Sequence, residues 1–364
     1  MNDSTDIIIT LKKVLKKIKE SSKDFGIYIA ANIKDSTTNI SDYSTNSIIT
    51  EYFTEDELED IVLAFRSNGI YVDVSSEETE FISKMINGDL ERLPKKYKAV
   101  YTSAQKGTGP GRKSLIPAFC NMLNVPIMGS NAYIRSLCRH KYHASSILKQ
   151  HGLQEMKAWL YDPTTGWLLE SKPAIGNKII IKPVYESASI GVTEKSIMNF
   201  AKDSEDIIRQ HSITFNQPII IQEFVSGYEV EVPVIINSGI PYSLGVVGIS
   251  VNKKRILDNQ ILTYDIVYND QYNFYDFKDM VNDSIVAGVR KCAENSAQVL
   301  GMEGLGRIDF RVTMNGRFYI TDISTNPHIV KHSSYGYLFN KLRFGYSDLP
   351  LSMLALLCIK NKWF

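Results

Sequence analysis

The chain has 364 residues, 44% of them hydrophobic and 22% charged, which is typical of a globular protein with two or three domains. Its 41 Lys and Arg residues nearly balance its 40 Asp and Glu residues and leave a net charge of +1. This balance argues against a dedicated nucleic-acid-binding protein, which concentrates a basic excess. The four cysteines form no C-x-x-C pair, and no apolar run is long enough to span a bilayer. We therefore expect a cytoplasmic protein with reduced thiols, no membrane contact and small-molecule ligands.

The first third of the chain predicts alternating helices and strands. Apolar residues at helical spacing predict a helix over 5–20. Thr54 and Glu57 form the sequence signature of a capping box, which predicts that a second helix starts there. Further helices are expected up to about Gly88 and over 115–123. Short apolar runs predict strands over 26–33, 70–74, 99–102 and 125–128. Such alternation predicts a parallel α/β domain over residues 1–130.

The rest of the chain predicts two further domains. Residues 131–217 are expected to form a small central α+β lid, and residues 218–364 a strand-rich unit. The elements predicted for the central unit are a helix over 140–150, a hairpin over 162–166 and a strand over 178–181. Those predicted for the last unit are strands over 218–222, 229–236 and 244–251, a helix over 281–300, a hairpin and two closing helices. The predicted fold class is therefore α/β (α+β) with three domains.

The most informative stretch is the predicted hairpin in the last unit. Asn315-Gly316 between alternating apolar residues is a strong signal for a two-residue turn. Side chains alternate across a sheet, so one face of the hairpin should be apolar and the other polar. Counting outwards from the turn predicts these cross-strand pairs: Met314 with Arg317, Val312 with Tyr319, Asp309 with Asp322, Ile308 with Ile323, and Arg307 with Ser324.

Two facing carboxylates on this hairpin require an explanation. Like charges directly opposite one another destabilise a sheet, so Asp309 and Asp322 indicate either a bound divalent cation or a shared proton. Oxygen ligands alone suit Mg²⁺ or Mn²⁺. The alternative is a solvated hairpin face on which Arg307 and Arg311 neutralise the acids. The pattern by itself favours neither interpretation.

Two runs in the hairpin resemble the metal-binding end of ATP-grasp ligases, in particular the D-alanine–D-alanine ligases. They are Gly306-Arg307-Ile308-Asp309-Phe310 and Asp322-Ile323-Ser324-Thr325-Asn326-Pro327. The resemblance implies that Arg307 supports an acyl-phosphate intermediate. It also implies that Asp309, Asp322 and Ser324 stand where the family holds two Mg²⁺ ions with Asp, Glu and Asn. Asp322 and Ser324 are shorter or weaker ligands than those residues, and Asn326 is a candidate substitute.

A second resemblance concerns phosphate binding. The apolar strand around 179–181 ends in Lys182, and small residues follow it. A lysine at a strand end can reach a phosphate as a point charge, and small residues let backbone N–H groups approach anionic oxygens. The stretch resembles the family loop Lys-Pro-x-x-Glu-Gly-Ser-Ser-x-Gly, which places Ser189 among the catalytic residues. Ala188 replaces a serine that helps to position the first substrate. Lys141 stands where the family has a second lysine for the ATP phosphates.

The segment 222–229 resembles the hinge that grips adenine in the same family. The resemblance implies that backbone groups of Glu223 and Val225 hydrogen-bond the base and that Glu229 takes the ribose hydroxyls. An acidic residue on ribose hydroxyls is a sound mechanism. Glu231 lies on the same strand face and is expected to be a surface residue.

A glycine-rich run over 107–114 looks like a P-loop but does not match one. Arg112 breaks the Gly-Lys-Ser/Thr spacing and Pro110 removes a backbone donor, so a P-loop kinase is not expected. In the resembling family this region lies beside the substrate cleft. Arg112 or Lys113 could therefore bind an anionic substrate, and the N-terminus of a helix is the simpler interpretation.

The resemblance covers roughly residues 97–340, and the half that binds the first substrate departs from the family. The first strand is not followed by the glutamate that binds the ammonium of the first D-alanine. A histidine-glycine pair expected near 102–107 is also absent. His328 replaces a family glycine. The aromatic segment 264–277 fits the active-site loop but lacks a clear Lys-Tyr pair.

The resemblance implies a ligase that uses ATP to activate a carboxylate as an acyl phosphate. An amino-acid-like amine then attacks, and ADP and phosphate are released. Ser333 matches a serine that holds the carboxylate of the second amino acid. Two alternatives remain: a D-alanine–D-alanine ligase proper for peptidoglycan, and a non-catalytic nucleotide-binding module. The expected ligands are ATP, Mg²⁺ or Mn²⁺, and the two small-molecule substrates. A homodimer is left open.

Overall fold

The computed structural model describes residues 4–34, 36–37 and 42–364. Its first part is a three-stranded parallel sheet in the order β2-β1-β3, with helices packed against it. The capping box is confirmed, because the Thr54 backbone donates to Glu57 and the Glu57 backbone donates to Thr54. The elements are α1 (Ser4–Glu20), β1 (Phe25–Ala30), α2 (Glu55–Arg66), β2 (Tyr71–Ser75), α3 (Glu78–Ile86), α4 (Asp89–Arg92), β3 (Tyr97–Thr102) and α5 (Leu115–Met122).

One predicted strand of this part is wrong. Residues 125–128 form no strand, and Ile127 makes only a single parallel bridge to Val100. The Val100 amide donates to the Pro126 carbonyl, and the Met128 amide donates to the Val100 carbonyl. Pro126 has no backbone N–H of its own, so it cannot extend this bridge into a ladder. The strand predicted over 26–33 also ends earlier, at Ala30.

The central part is a five-stranded antiparallel sheet in the order β5-β4-β8-β6-β7. Its elements are α6 (Ala132–Arg139), α7 (Lys141–Gln150), β4 (Ala158–Asp162), β5 (Gly166–Trp167), β6 (Lys178–Pro183), β7 (Ile197–Asn199), α8 (Ser204–Phe215) and β8 (Ile219–Glu223). The helix α6 was not predicted. Because β8 pairs with β4 and β6, we propose that the second domain boundary lies near residue 223 instead of 217. The division into three domains remains a proposal.

The last part is a six-stranded antiparallel sheet. Five strands follow one another in the order β12-β11-β9-β13-β14, and the sixth strand, β10, pairs with β9. One face packs against α10, and the other joins the core of the N-terminal part through α12, which contacts α1 and α2. The elements are β9 (Tyr228–Asn237), β10 (Ile240–Ser243), β11 (Val247–Val251), α9 (Tyr264–Tyr268), β12 (Tyr272–Asp276), α10 (Asp283–Val299), β13 (Gly304–Val312), β14 (Phe318–Ser324), α11 (Ser334–Lys341) and α12 (Asp348–Lys360).

The turn between β13 and β14 is longer than predicted. Three residues, 314–316, separate Thr313 from Arg317, and the Thr313 amide donates to the Arg317 carbonyl at 2.8 Å. Gly316 has φ +84°, which only glycine adopts readily, as in a type I turn followed by a glycine bulge. Met314 therefore does not face Arg317, and Val312 faces Phe318 where Tyr319 was predicted.

A second irregularity restores the predicted register at the far end of the hairpin. The pairing shifts by one residue between Asp309 and Phe310, where Thr321 is the extra residue of β14. The two one-residue offsets cancel. The predicted pairs Asp309–Asp322 and Arg307–Ser324 are therefore confirmed, although the turn that was used to count them is not.

Candidate active site

All three sheets contribute to one cleft of about 500 Å³, a size typical of a small-molecule site. Apart from Ser333, every residue predicted for the site lines it. These residues are Lys141, Lys182, Ser189, Glu223, Val225, Glu229, Arg307, Asp309, Asp322, Ser324 and Asn326. We call the side formed by β6, β9, β13, β14 and the start of α7 the ATP wall. The side formed by Lys34 and by residues 50–57, 101–113 and 186–188 is the donor wall.

The hairpin carboxylates form the centre of the ATP wall. Arg307 holds Asp309 through two hydrogen bonds, Nε–Oδ1 at 2.7 Å and Nη2–Oδ2 at 2.8 Å. Its Nη1 also lies 3.3 Å from Glu231 Oε1. Glu231 was expected at the surface, and this expectation is wrong: it is buried and faces the cleft. The sequence missed it because the next strand, β13, brings Asp309 directly beside it.

The two facing aspartates are in different electrostatic states. Burial, together with Glu231 and Asp322, outweighs Arg307 and raises the pKa of Asp309 to about 7. Burial alone would raise the pKa of Asp322 too, but the Lys141 ammonium lies 2.6 Å from its Oδ1 and lowers that pKa. A neighbouring cation therefore keeps Asp322 ionised, whereas charging Asp309 costs energy.

The two phosphate lysines also lie on this wall. Lys141 begins α7 and pairs with Asp322, as described above. Lys182 sits near the end of β6, and its ammonium has one long contact, 3.5 Å to the Thr321 carbonyl. Burial and the neighbouring Lys141 lower the pKa of Lys182. Two ammonium groups held close together in a cleft favour the binding of a multiply charged anion.

The hinge segment supplies an apolar slot next to these charges. Ile180, Phe224 and Val225 line the cleft there. The Glu223 amide donates to the Lys157 carbonyl at 3.0 Å, so this N–H is not available to a bound base. Glu229 lies 3.1 Å from Arg311 Nε, and burial raises the pKa of Glu229.

Ser189 anchors a loop in this structure. Its hydroxyl donates to the Leu262 carbonyl at 2.7 Å, which ties the segment before α9 to the residues after β6. Tyr264 extends the connection, because its hydroxyl accepts hydrogen bonds from the Ser47 amide and the Thr50 hydroxyl. The predicted active-site loop therefore contacts both neighbouring parts of the chain.

Ser333 has a different place from the one predicted. It is the N-cap of α11: its hydroxyl accepts from the Gly336 amide and donates to the Val330 carbonyl. It is buried and does not line the cleft. Its neighbour His332 does line the cleft, and its Nδ1 lies 2.6 Å from Asp270 Oδ1. The geometry does not support the predicted contact between Ser333 and a substrate carboxylate.

The donor wall is backed by a cluster of five charged side chains that the sequence did not bring together. Glu51 pairs with Arg112, Arg139 and Lys113, and Glu186 pairs with the two arginines. The side chain of Lys113 is 15% exposed, and the other four are at most 5% exposed. Of the two residues named as candidates for an anionic substrate, Arg112 is held between the carboxylates through Nη1 and Nη2 and does not line the cleft. Lys113 does line it.

Several polar atoms in the cleft lack a protein partner. In the part of the chain that the structure describes, they include Gln105 Oε1, Gln222 Oε1, Glu231 Oε2 and Thr321 Oγ1. Buried polar atoms without partners are rare and often mark a ligand or ion position. Those on the ATP wall are oxygens beside carboxylates, which fits a hard cation such as Mg²⁺.

The described residues contain no group of three His, Cys, Asp or Glu side chains arranged to hold a metal ion by themselves. This agrees with Mg²⁺, which commonly takes only one or two carboxylates and completes its shell with phosphates and water. Asp309, Asp322, Ser324 and Asn326 are the residues that would hold it.

Comparisons with known proteins agree with this geometry. A family model described as D-ala D-ala ligase C-terminus matches residues 155–355. The D-alanine–D-alanine ligase of Streptococcus agalactiae serotype Ia is 24% identical over 253 residues, covering 68% of this chain and 70% of that protein. The corresponding ligase of Streptococcus pyogenes serotype M49 is 25% identical over 254 residues, covering 68% and 69%.

Two solved structures share the fold over nearly the whole chain. The D-alanine–D-alanine ligase of Bacillus anthracis complexed with ATP has a TM-score of 0.68 at 13% identity, covering 93% of this chain and 99% of that one. The VanG D-Ala:D-Ser ligase of Enterococcus faecalis has a TM-score of 0.66 at 14% identity, covering 92% and 99%.

The antiparallel sheets around a charged cleft, with the parallel N-terminal sheet beside them, define an ATP-grasp ligase. The chain belongs to the D-alanine–D-alanine ligase family. It is an ATP-dependent, ADP-forming enzyme of the class that makes carbon–nitrogen bonds between small molecules. Within the described ranges, none of its helices is long and apolar enough to cross a bilayer.

Proposed function

We propose that this enzyme activates a carboxylic acid as its acyl phosphate and joins it to the amine of an amino-acid-like acceptor. The observation that carries the proposal is the charge arrangement of the ATP wall. Its four carboxylates stand among four cations, so the wall is balanced before any ligand binds. The carboxylates are Glu229, Glu231, Asp309 and Asp322, and the cations are Lys141, Lys182, Arg307 and Arg311.

This balance makes nucleotide and metal binding depend on each other. An ATP phosphate that takes Lys141 removes the cation that now neutralises Asp322. A divalent cation on Asp309 and Asp322 in turn releases Lys141 and Arg307 for anionic oxygens. Each ligand therefore compensates the charge that the other leaves unpaired, which predicts positive coupling between them. Bound Mg²⁺, or Mn²⁺, would neutralise phosphate charge and polarise the transferred group.

The remaining residues have roles in binding and positioning. Glu229 is proposed to take the ribose hydroxyls, and the backbone of Glu223 and Val225 the base. Arg307 is proposed to stabilise the tetrahedral intermediate that forms when the amine attacks the acyl phosphate. Ser324 and Asn326 complete the proposed metal site. Ser189 is proposed to act indirectly, by holding the loop that closes the cleft.

The test uses hydroxylamine in place of the unknown amine. A carboxylate, ATP and Mg²⁺ form an acyl phosphate and ADP, and hydroxylamine then attacks the carbonyl carbon, so that phosphate leaves and a hydroxamate remains. We expect hydroxamate and ADP in equal amounts, both dependent on the carboxylate. Binding of ATP without hydroxamate from any carboxylic acid would instead support a non-catalytic nucleotide-binding module.

A D-alanine–D-alanine ligase proper is the second candidate, because relatives with that name are 24% and 25% identical to this chain over 253 and 254 aligned residues. Formation of D-alanyl-D-alanine by the purified enzyme distinguishes it. Ala188 and the donor wall argue against it, and we expect D-alanine to be a poor acyl donor. The cytoplasmic location and the homodimer remain proposals, and the four free cysteines are consistent with a reducing compartment.

A further inference from the structure

The donor wall contains two carboxylates that cannot bind an ammonium group. Glu51 already accepts hydrogen bonds from two arginines, a lysine and the Ser187 amide, at 2.5–3.2 Å. Glu186 accepts from the same two arginines and from Tyr43 and Gln217. A carboxylate offers about four lone-pair sites. Both groups have at least that many donors, so neither has a site left for a substrate amine.

The charges of this cluster do not cancel. Arg112, Arg139 and Lys113 face two carboxylates, which leaves one positive charge in excess. Lys113 is the member that carries this excess into the cleft. Its side chain is 15% exposed, against at most 5% for the other four. Lys113 is also the only one of the three cations that lines the cleft.

Two further charged groups on this wall leave the excess of one positive charge unchanged. Lys34 lines the cleft and has no ion-pair partner among the described residues, and Glu57 lines the cleft with the opposite charge. Glu57 caps its own helix, because its Oε2 accepts the Thr54 amide at 2.8 Å. Burial and the positive charge of Arg139 lower the pKa of Lys113 to about 7. A second anion beside it would relieve that cost.

We propose that the acyl donor is a dicarboxylic acid whose second carboxylate binds Lys113, and that the donor site does not recognise an α-ammonium group. This inference rests on the proposed ligase function and names its substrate class. One carboxylate of the donor reaches the ATP wall and is activated there. The other supplies the negative charge that the donor wall lacks, so Lys113 is a specificity-determining residue.

The experiment compares acids that differ by one group in the hydroxylamine assay. Glutarate and butyrate differ by a terminal carboxylate, and D-alanine represents the α-amino acids. We expect glutarate to give a kcat/KM at least about tenfold above that of butyrate, and D-alanine to show no advantage over butyrate. A preference for D-alanine would overturn the inference and leave the ligase function intact. Hydroxamate from no acid at all would overturn both.

Variants of Lys113 then test the residue itself. Lys113→Met should lower kcat/KM for glutarate by about tenfold to a hundredfold, mainly through KM, and leave butyrate nearly unchanged. Lys113→Arg should retain most of the preference. Lys16→Met, an exposed lysine of the same part of the chain, is the control. The fold should survive, because Glu51 keeps both arginines, and thermal unfolding checks this. An unchanged preference in folded Lys113→Met would refute the assignment.

Discussion

The two walls of the cleft use the same kinds of charged residues in opposite ways. On the ATP wall two cations form separate pairs, Lys141 with Asp322 and Arg311 with Glu229, and Lys182 has only a carbonyl contact. On the donor wall three cations crowd around two carboxylates, and Arg112 contacts both. Single pairs near the open cleft can exchange partners when a ligand arrives. A shared, fully buried cluster cannot, because each separation leaves an unpaired charge away from water.

The two walls therefore have different roles: one binds ligands and the other stabilises the fold. The ion pairs of the ATP wall can exchange partners when a ligand binds, so its residues should matter most for turnover. The ion pairs of the donor wall stay the same, so its buried residues should matter most for stability. Lys113 is the exception on that wall, because it is both part of the cluster and exposed to the cleft.

The largest effect is expected from Asp309→Asn on the ATP wall. The variant removes a proposed metal ligand, so kcat should fall by at least about a hundredfold to a thousandfold. The free energy of unfolding without ligands should stay the same or rise by about 1 kcal/mol or less, because a like-charge contact with Asp322 and Glu231 is relieved. Steady-state ADP release and thermal unfolding measure the two quantities.

Asp206→Asn, at an exposed position on α8, is the control. Full activity, or an unfolded variant, would contradict the paired-carboxylate metal site.

The next effect concerns stability and the donor wall. Arg112→Met leaves Glu51 buried with one hydrogen bond fewer and Glu186 with two fewer, so the free energy of unfolding should fall by about 3–5 kcal/mol. Arg92→Met breaks the exposed pair with Asp89 and should cost about 1 kcal/mol or less. Urea denaturation of both variants measures the difference. Equal losses would remove the distinction between the two walls.

A smaller effect is expected for ATP binding. Lys182→Met removes a charge-assisted contact to phosphate, which is worth about 1.5–3 kcal/mol, so the Kd for ATP with Mg²⁺ should rise by roughly tenfold to a hundredfold. Calorimetric titration measures it, with the exposed Lys195→Met as the control. An unchanged Kd would mean that Lys182 does not bind phosphate.

The smallest effect is the pH dependence contributed by Lys113. Burial and Arg139 lower its folded pKa to about 7, below that of the unfolded chain. Between about pH 7 and 10 the unfolded state therefore binds more protons, and this residue makes stability rise with pH, by up to about 1.4 kcal/mol per unit. Below about pH 7 Lys113 is protonated in both the folded and the unfolded state, and the energetic cost of burying its charge is fully present. The unfolding free energy of the parent minus that of Lys113→Met should thus increase from pH 7 to pH 9. If this difference in unfolding free energy did not change with pH, the pKa of Lys113 would be the same in the folded and the unfolded chain.

Local patterns were enough to predict most elements and the ATP wall. The helix α1, the capping box of α2 and the strand that ends near Lys182 follow from short-range periodicity and capping chemistry. The pair Asp309–Asp322 was also predicted correctly, but for an incomplete reason. The count assumed a two-residue turn, and the bulge at Thr321 compensated for a turn of three. The register count says nothing about function, and the expected roles of these residues came from the resemblance to the family.

The residues that the sequence missed are those brought together by distant segments. Glu231 reads as an exposed strand residue until β13 brings Asp309 and Arg307 beside it. Ser333 reads as a substrate contact until the start of α11 takes its hydroxyl. The partners of Glu231 come from another strand, and no local pattern contains them. Those of Ser333 lie only three residues away on either side, so its role as a helix cap was open to local reasoning.

By itself the sequence determined what is local: which segments form helices and strands, which hairpin carries the acids, and which lysines end or begin an element near the ATP wall. Only the tertiary structure decided which charges neutralise one another. Glu51 and Arg112 are 61 residues apart, and Glu186 is 74 residues beyond Arg112. Coulomb energy depends on distance in space and on burial, and neither can be read along the chain. The excess positive charge at Lys113 therefore emerges only when the donor wall is assembled.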